Sequence, residues 1–237
     1  YEKAQTSAFS ALVKDGTYSD DFDHGKPSQQ FFRGVMSDAM SALSSNLKND
    51  IRVIDCGCGN GAWLDYLTSI DAKGNIASVH GFDLTPEMVS VARTRLDKKG
   101  IVSHLQDGNV LESSSYDFQG SEGDFDLVFT YDVIQQLPSK IQFEACQKIV
   151  DQLANGGIAV IFDNDGHSKF GRKMARKKFL TRYFGLNLVP KYYCNAVYPP
   201  LEKFAKRLDK QSGLEVNIEL SESGVKRALI VRRSDDK

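Results

Sequence analysis

The chain predicts an α/β fold: a mostly parallel sheet with helices on both faces, closed by a C-terminal antiparallel hairpin. Three observations carry this. Short β-rich runs alternate with helical patterns from Ile51 to Asp163. Three glycines at alternate positions, Gly57, Gly59 and Gly61, join the first run to the first of these helices. Two apolar runs near the end, 214–220 and 225–233, flank the polar turn "SESG", so the final strand returns against the others.

Residues 1–49 read as helices, with Phe32, Val35, Met36, Ala39, Met40, Leu43 and Leu47 on one stripe. The parallel strands are expected at 51–56, 76–83, 101–107, 126–132 and 157–163. The stretch "AWLDYLTSI" puts Trp63, Leu64, Leu67 and Ile70 at helical spacing. Thr85 is the expected N-cap of the next helix, with Pro86 in its first turn and Gly100 as its stop. Ser139 and Gln142 have the spacing of a capping box, for a helix that closes at Gly156 and Gly157. Residues 164–200 carry no strand pattern. The expected organisation is therefore a helical cap over 1–49, a ligand-binding core over 50–163, an inserted basic and aromatic lid over 164–200, and a last helix with the closing hairpin over 201–237.

At 237 residues the chain can bury a full core. Its 41% hydrophobic and 26% charged residues are ordinary for a globular protein. A net charge of −1 gives no global attraction to nucleic acid or membrane, so a local patch would have to supply any such affinity. No apolar run approaches the roughly 18 residues of a membrane span, and the opening "YEKAQTSAFS" lacks the layout of a signal peptide. Cys56, Cys58, Cys146 and Cys194 have a poor spacing for zinc or for disulfides. They read as reduced thiols, which favours a cytoplasmic setting, and no metal site is expected.

The glycines fit two cofactor classes. Gly57, Gly59 and Ala62 satisfy the dinucleotide fingerprint, and Gly57, Gly59 and Gly61 satisfy the tighter G-x-G-x-G. Asp55 separates them. It sits two residues before the first glycine, where a carboxylate repels a pyrophosphate and suits a ligand that carries an ammonium group. Asp83, ending the second strand, can accept both hydroxyls of a ribose in either class. Asp107, in "LQDGNV", can accept an adenine amino group. Tyr131, Asp132 and Gln135 arrive at the same carboxyl edge, where open α/β sheets bind ligands.

With these residues in place, 51–163 resembles the class I methyltransferases that depend on S-adenosylmethionine (SAM). "VIDCGCGNG" resembles the first motif of that family and "VHGFDLTPEMVSVAR" the second. "LQDGNV" resembles its adenine-binding segment and "FDLVFTYDVIQQLP" its fourth motif. "LANGGIAVIFD" stands where the family has a Pro-Gly-Gly turn, with Asn155 replacing the proline. The resemblance covers about half the chain and implies a seven-stranded sheet with one reversed strand. It also implies SAM as cofactor, held by Asp55, Gly57, Gly59, Gly61, Asp83, Leu84, Asp107, Gly108, Asn109 and Tyr131. An NAD-dependent oxidoreductase and a non-catalytic SAM-binding protein are the readings of another class.

The acceptor should meet the segments outside the shared sheet. Tyr18, Gln135, Tyr192 and Tyr193 are the substrate-binding candidates, and His167 and Tyr131 the catalytic ones. His24 lies in an acidic, turn-rich stretch that could close over the cofactor, whereas His80 and His104 fall inside strand patterns and read as structural. Gln136 occupies a position where the family frequently has His, so a light requirement for a base, as in methylation of an amine or a carboxylate, suits this chain. From Gly166 to Leu201 there is no Asp or Glu, while Lys169, Arg172, Lys173, Arg176, Lys177, Lys178, Arg182 and Lys191 are basic. That segment reads as a solvated lid, or as a surface for an acidic acceptor, RNA phosphates or an anionic membrane. A small-molecule acceptor ranks first and RNA second, because the chain shows no added RNA-binding module.

Overall fold

The computed structural model describes residues 1–14, 26–45, 50–71, 73–118, 121, 122, 124–189 and 195–235. Tyr18, His24, Tyr192, Tyr193 and Cys194 lie outside the described residues.

Strands β1 (Ile51–Cys56), β2 (Ile76–Asp83) and β3 (Ser103–Asp107) form one half of the sheet. After them come a two-residue ladder of β4 (Asp117–Phe118) with β5 (Ser121–Glu122), then β6 (Phe125–Tyr131) and β7 (Leu153–Asn164). The chain closes with β8 (Leu214–Leu220) and β9 (Lys226–Arg233). The main sheet has seven strands in the order β3-β2-β1-β6-β7-β9-β8. β9 runs antiparallel between β7 and β8, and the other neighbouring pairs are parallel. This is the architecture the alternating pattern predicts.

Alternation along the strands sorts the core onto two faces. Val53, Phe129, Val160 and Phe162 pack with α2 (Pro27–Ser45), α3 (Ala62–Ile70) and α4 (Pro86–Lys98). Ile54, Val128, Ala159 and Ile161 pack on the other face with α5 (Gln142–Asp151) and α7 (Leu201–Leu208). The stripe read at Phe32, Val35, Met36, Ala39, Met40 and Leu43 is buried throughout, so α2 is a layer of the core itself. Leu47 lies outside the described residues. Helix α1 (Glu2–Lys14) reaches the carboxyl edge instead, and α6 (Lys169–Phe184) stands beyond β7.

Two expected caps are built differently. Thr85 holds the N-cap position of α4, but its side chain makes no cap hydrogen bond; its N–H donates to Asp83 Oδ1 instead. Ser139 does not cap α5, whose N-cap is Ile141. The buried Gln142 side chain donates instead to the carbonyls of Ile134 and Val197, tying the start of α5 to the chain returning from α6. Helix α5 ends at Asp151, and β7 begins before the glycine pair. Residues 154–157 bulge out of the β6–β7 ladder, which pairs Phe125 with Leu153 and then Leu127 with Ile158. Cys56, Cys58 and Cys146 are free and buried, as expected. Among the described residues no helix is long and apolar enough to cross a membrane.

Candidate functional site

The loop from β1 to α3 turns through three glycines with positive φ: +95° at Gly57, +51° at Gly59 and +74° at Gly61. Their bareness has different causes. A Cβ on Gly57 would overlap the Val133 side chain, and one on Gly61 would lie 3.0 Å from the Cβ of Ala92 on α4. Gly59 alone of the three faces open space, with nothing within 4 Å of an added Cβ. Two of the glycines thus serve the protein's own packing, and beside the third the space is open. The N–H groups of Gly57 and Cys58 donate to Phe82 O at 2.8 and 2.9 Å, which fixes the loop against β2.

Asp83 closes the second side of this cradle. Its Oδ2 accepts from Gly59 N and its Oδ1 from Thr85 N, both at 2.9 Å. Each oxygen keeps a further lone pair for a ligand hydroxyl. Burial raises the Asp83 carboxyl above its ordinary value despite these two bonds. Asp55 is 1% exposed, and its Oδ1 has no hydrogen-bond partner. Burial, and after it the charge of Asp83, lifts Asp55 well above the usual carboxylate range. A buried carboxylate oxygen with no donor is costly, and an incoming ammonium would relieve it.

The third strand brings Asp107 into register with Asp83. Asp107 is exposed, and Gly108 N donates to Asp83 O. Leu84 is half-buried beside them. Asn109 is buried and already engaged: its Nδ2 donates to Glu2 at 2.9 Å, and its Oδ1 accepts from Leu111 N. Helix α1 therefore crosses this edge, held by Asn109 at one point, by Gln136 through Gln5 at a second, and by Glu87 through Ser10 at a third.

The β6–β7 side is made of side chains. Tyr131 stacks on Phe162 with centroids 5.0 Å apart, and Phe32 and Trp63 lie equally close, so its ring belongs to an aromatic layer. Asp132 takes a left-handed conformation (φ 60°) and pairs with the Lys226 ammonium. Asp163 is fully buried, accepting from Gln135 N and Asn164 N at 2.9 and 2.7 Å. Burial raises its carboxyl well above the ordinary value, the Asp132 charge adds to this, and Lys226 opposes it. Gln135, expected to face the acceptor, is 3% exposed; its side chain bonds Asn164 and Asp132 O inside the loop. Its neighbour Gln136 is the half-buried one of the pair. His167 is exposed just past β7, its N–H donating to Asp165 Oδ1.

Lys226 and Arg227 were missed by the motif reading. They start the antiparallel strand, whose register sets Lys226 against Asn164 and Arg227 against Asp163. Arg227 pairs with Asp165 at 2.8 Å. The available signal was two adjacent basic residues opening a strand whose direction carries them to the carboxyl edge.

Residues 53–157 match the profile of a family described as a methyltransferase domain. An uncharacterised protein of Synechococcus sp. is 28% identical over 111 residues, which are 47% of this chain; the chain spans about a quarter of that relative's length (25%). Magnesium protoporphyrin IX methyltransferase from Synechocystis PCC 6803, solved with bound S-adenosylhomocysteine (SAH), superposes with a TM-score of 0.68 at 16% identity, covering 98% of this chain and 99% of that one. The [4+2]-cyclase SpnF superposes at 0.61 and 12% identity, covering 91% of this chain and 86% of that one. These structures share the fold.

Proposed function

Residues 53–157 form a class I SAM-dependent methyltransferase domain, and from that premise we propose that the chain transfers the methyl group of SAM to a nitrogen or oxygen atom of a small-molecule acceptor. The observation that carries the cofactor side is the unpartnered, buried Oδ1 of Asp55 at the glycine loop. It suits an ammonium and opposes a pyrophosphate. Asp83 would take the ribose hydroxyls, Asp107 the adenine amino group, and the open face of Gly59 the close approach of the ligand.

The cofactor supplies a methyl already activated on a sulfonium, so the protein's share is alignment and exclusion of water, which together account for about 7–11 kcal/mol of barrier lowering in well-oriented reactions. In this reading α1 excludes water from the adenine side. Asp163 orders the acceptor side by holding the 132–136 loop to β7 through Gln135 N. The light requirement for a base suits an amine or a carboxylate, with His167 as the nearest exposed base past β7. A small acceptor accords with the substrate named for the Synechocystis enzyme, a porphyrin. The cyclase of the same fold is the reason to test turnover directly.

Calorimetry with SAH and with NAD tests the cofactor, and transfer of labelled methyl to panels of small amines, carboxylates and RNA tests the acceptor. We expect micromolar SAH binding, no NAD binding, and label on a small molecule. Asp55→Asn should weaken SAH at least tenfold, about 1.4 kcal/mol, without lowering the melting temperature, since it removes the charge of a buried carboxyl whose Oδ1 has no donor. Preferential NAD binding would refute the cofactor assignment, and label on RNA alone would refute the acceptor class.

A further inference from the structure

Helix α6 turns its outer surface to solvent in two distinct halves. Its first two turns present Lys169, Arg172, Lys173 and Arg176, all exposed. Its last turns and the residues after them present Phe179, Tyr183, Phe184, Leu186 and Leu188, also exposed. The rings form a cluster in the open: Phe179 lies 4.9 Å from Tyr183 and 6.1 Å from Phe184. A contiguous apolar patch on the surface marks an interaction site. The patch has no part in the cofactor cradle.

The helix is firmly seated beneath that surface. Ser168 caps it through Gly171 N, and a Cβ on Gly171 would overlap the backbone of Asp165. Lys178, the buried cation of the helix, donates to Ala196 O at 2.8 Å and sits 4.0 Å above the Tyr198 ring. The exposed aromatic end is therefore a face that the fold displays.

We propose that this face docks on an anionic membrane surface. Charge complementarity commits it: α6 exposes Lys169, Arg172, Lys173, Arg176 and Arg182, and from Gly166 to Leu201 the sequence has no Asp or Glu. An anionic leaflet attracts such a segment, and Phe, Tyr and Leu side chains enter the layer between headgroups and acyl chains. A second copy of the chain fits poorly, because a two-fold interface sets the same patch against itself and brings like charges together. RNA matches the cations, but Leu186 and Leu188 offer no ring face for a base. The docking is peripheral and concerns a surface apart from the acceptor assignment, so either can fail alone.

The test is sedimentation of the full chain with vesicles of phosphatidylcholine alone and with 30% phosphatidylserine. Single-stranded polyuridylate is measured in parallel, and sedimentation equilibrium reports self-association. We expect partition onto the phosphatidylserine vesicles that is at least tenfold stronger than onto phosphatidylcholine and weakens with added salt. The double variant Phe179→Ser/Phe184→Ser should lose at least tenfold in partition while keeping its melting temperature and SAH affinity, since both side chains are exposed. The proposal is overturned by equal partition onto both vesicle types, by partition that the double variant leaves unchanged, by binding to polyuridylate without binding to vesicles, or by a dimer that the double variant dissolves.

Discussion

The two halves of the carboxyl edge are made of different material. On the β1–β2–β3 side, backbone does the shaping: positive-φ glycines, N–H groups donating to Phe82 O, and a carboxylate gripping Gly59 N and Thr85 N. On the β6–β7–β9 side, side chains do it: Asp132 with Lys226, Asp165 with Arg227, and Gln135 with Asn164. A backbone-shaped half restricts which residue each position can hold, so it imposes a local signature. A side-chain half joins residues far apart in sequence and leaves other exchanges open.

The sharpest way to break this contrast is inside the glycine loop. Gly57→Ala meets Val133 and a left-handed φ, and should cost about 3 kcal/mol of stability, the scale of overpacking with backbone strain. Gly59→Ala, with open space around it, should cost only the left-handed backbone strain of about 1–2 kcal/mol and weaken SAH binding instead. Urea unfolding and calorimetry on both variants check this; equal stability losses would mean that Gly59 is also structural. Next in size is Lys226→Met, which strips the cation from Asp132. It should cost about 2 kcal/mol, below the range for a fully buried pair because Asp132 is partly exposed. SAH affinity should stay within about threefold, close to the scatter of a peripheral change. A large loss of SAH affinity would show that the two halves are coupled.

The remaining contrast is a pH dependence lodged in β2. Burial holds the His80 imidazole down at about 4, against 6.5 for a free histidine. Between these values the unfolded chain binds a proton that the folded chain refuses, so the His80 contribution to stability should fall as pH drops from about 6.5 towards 4, against the opposite contribution of the buried carboxyls of Asp55, Asp83 and Asp163. His80→Phe should flatten that part of a melting-temperature profile, and a slope unchanged in the variant would assign it elsewhere.

The same division explains what the sequence revealed. The run of strands along the chain, the reversed final strand and the glycine turn were legible because periodicity and glycine spacing are local. Asp55 stands out in the sequence because a carboxylate there bears on the choice of cofactor, and the structure buries it at the end of β1 with Oδ1 unpartnered. The capping box at Ser139 misled because Gln142 is claimed by carbonyls of the 134–137 turn and of Val197, a contact no local window contains. Gln135 misled in the same way: its position at the strand end was right, but Asn164 turns its side chain inward. Lys226 is paired with a residue 94 positions away, and that pairing exists only through the register of β9.

The insertion of β9 between β7 and β8 also sets a schedule for synthesis. Strand β7 is buried from Gly157 to Asn164, and its outer row of backbone groups there has no partner until β9 arrives. About seventy residues lie between the end of one strand and the end of the other, so at ribosomal rates the edge stays bare for roughly 4 to 14 seconds. A bare apolar edge invites pairing with other chains. What emerges from the ribosome straight after β7 is the carboxylate-free basic stretch, whose like charges repel the same stretch on a neighbouring nascent chain. The stretch that carries the outward face of α6 in the finished protein thereby guards its unfinished sheet.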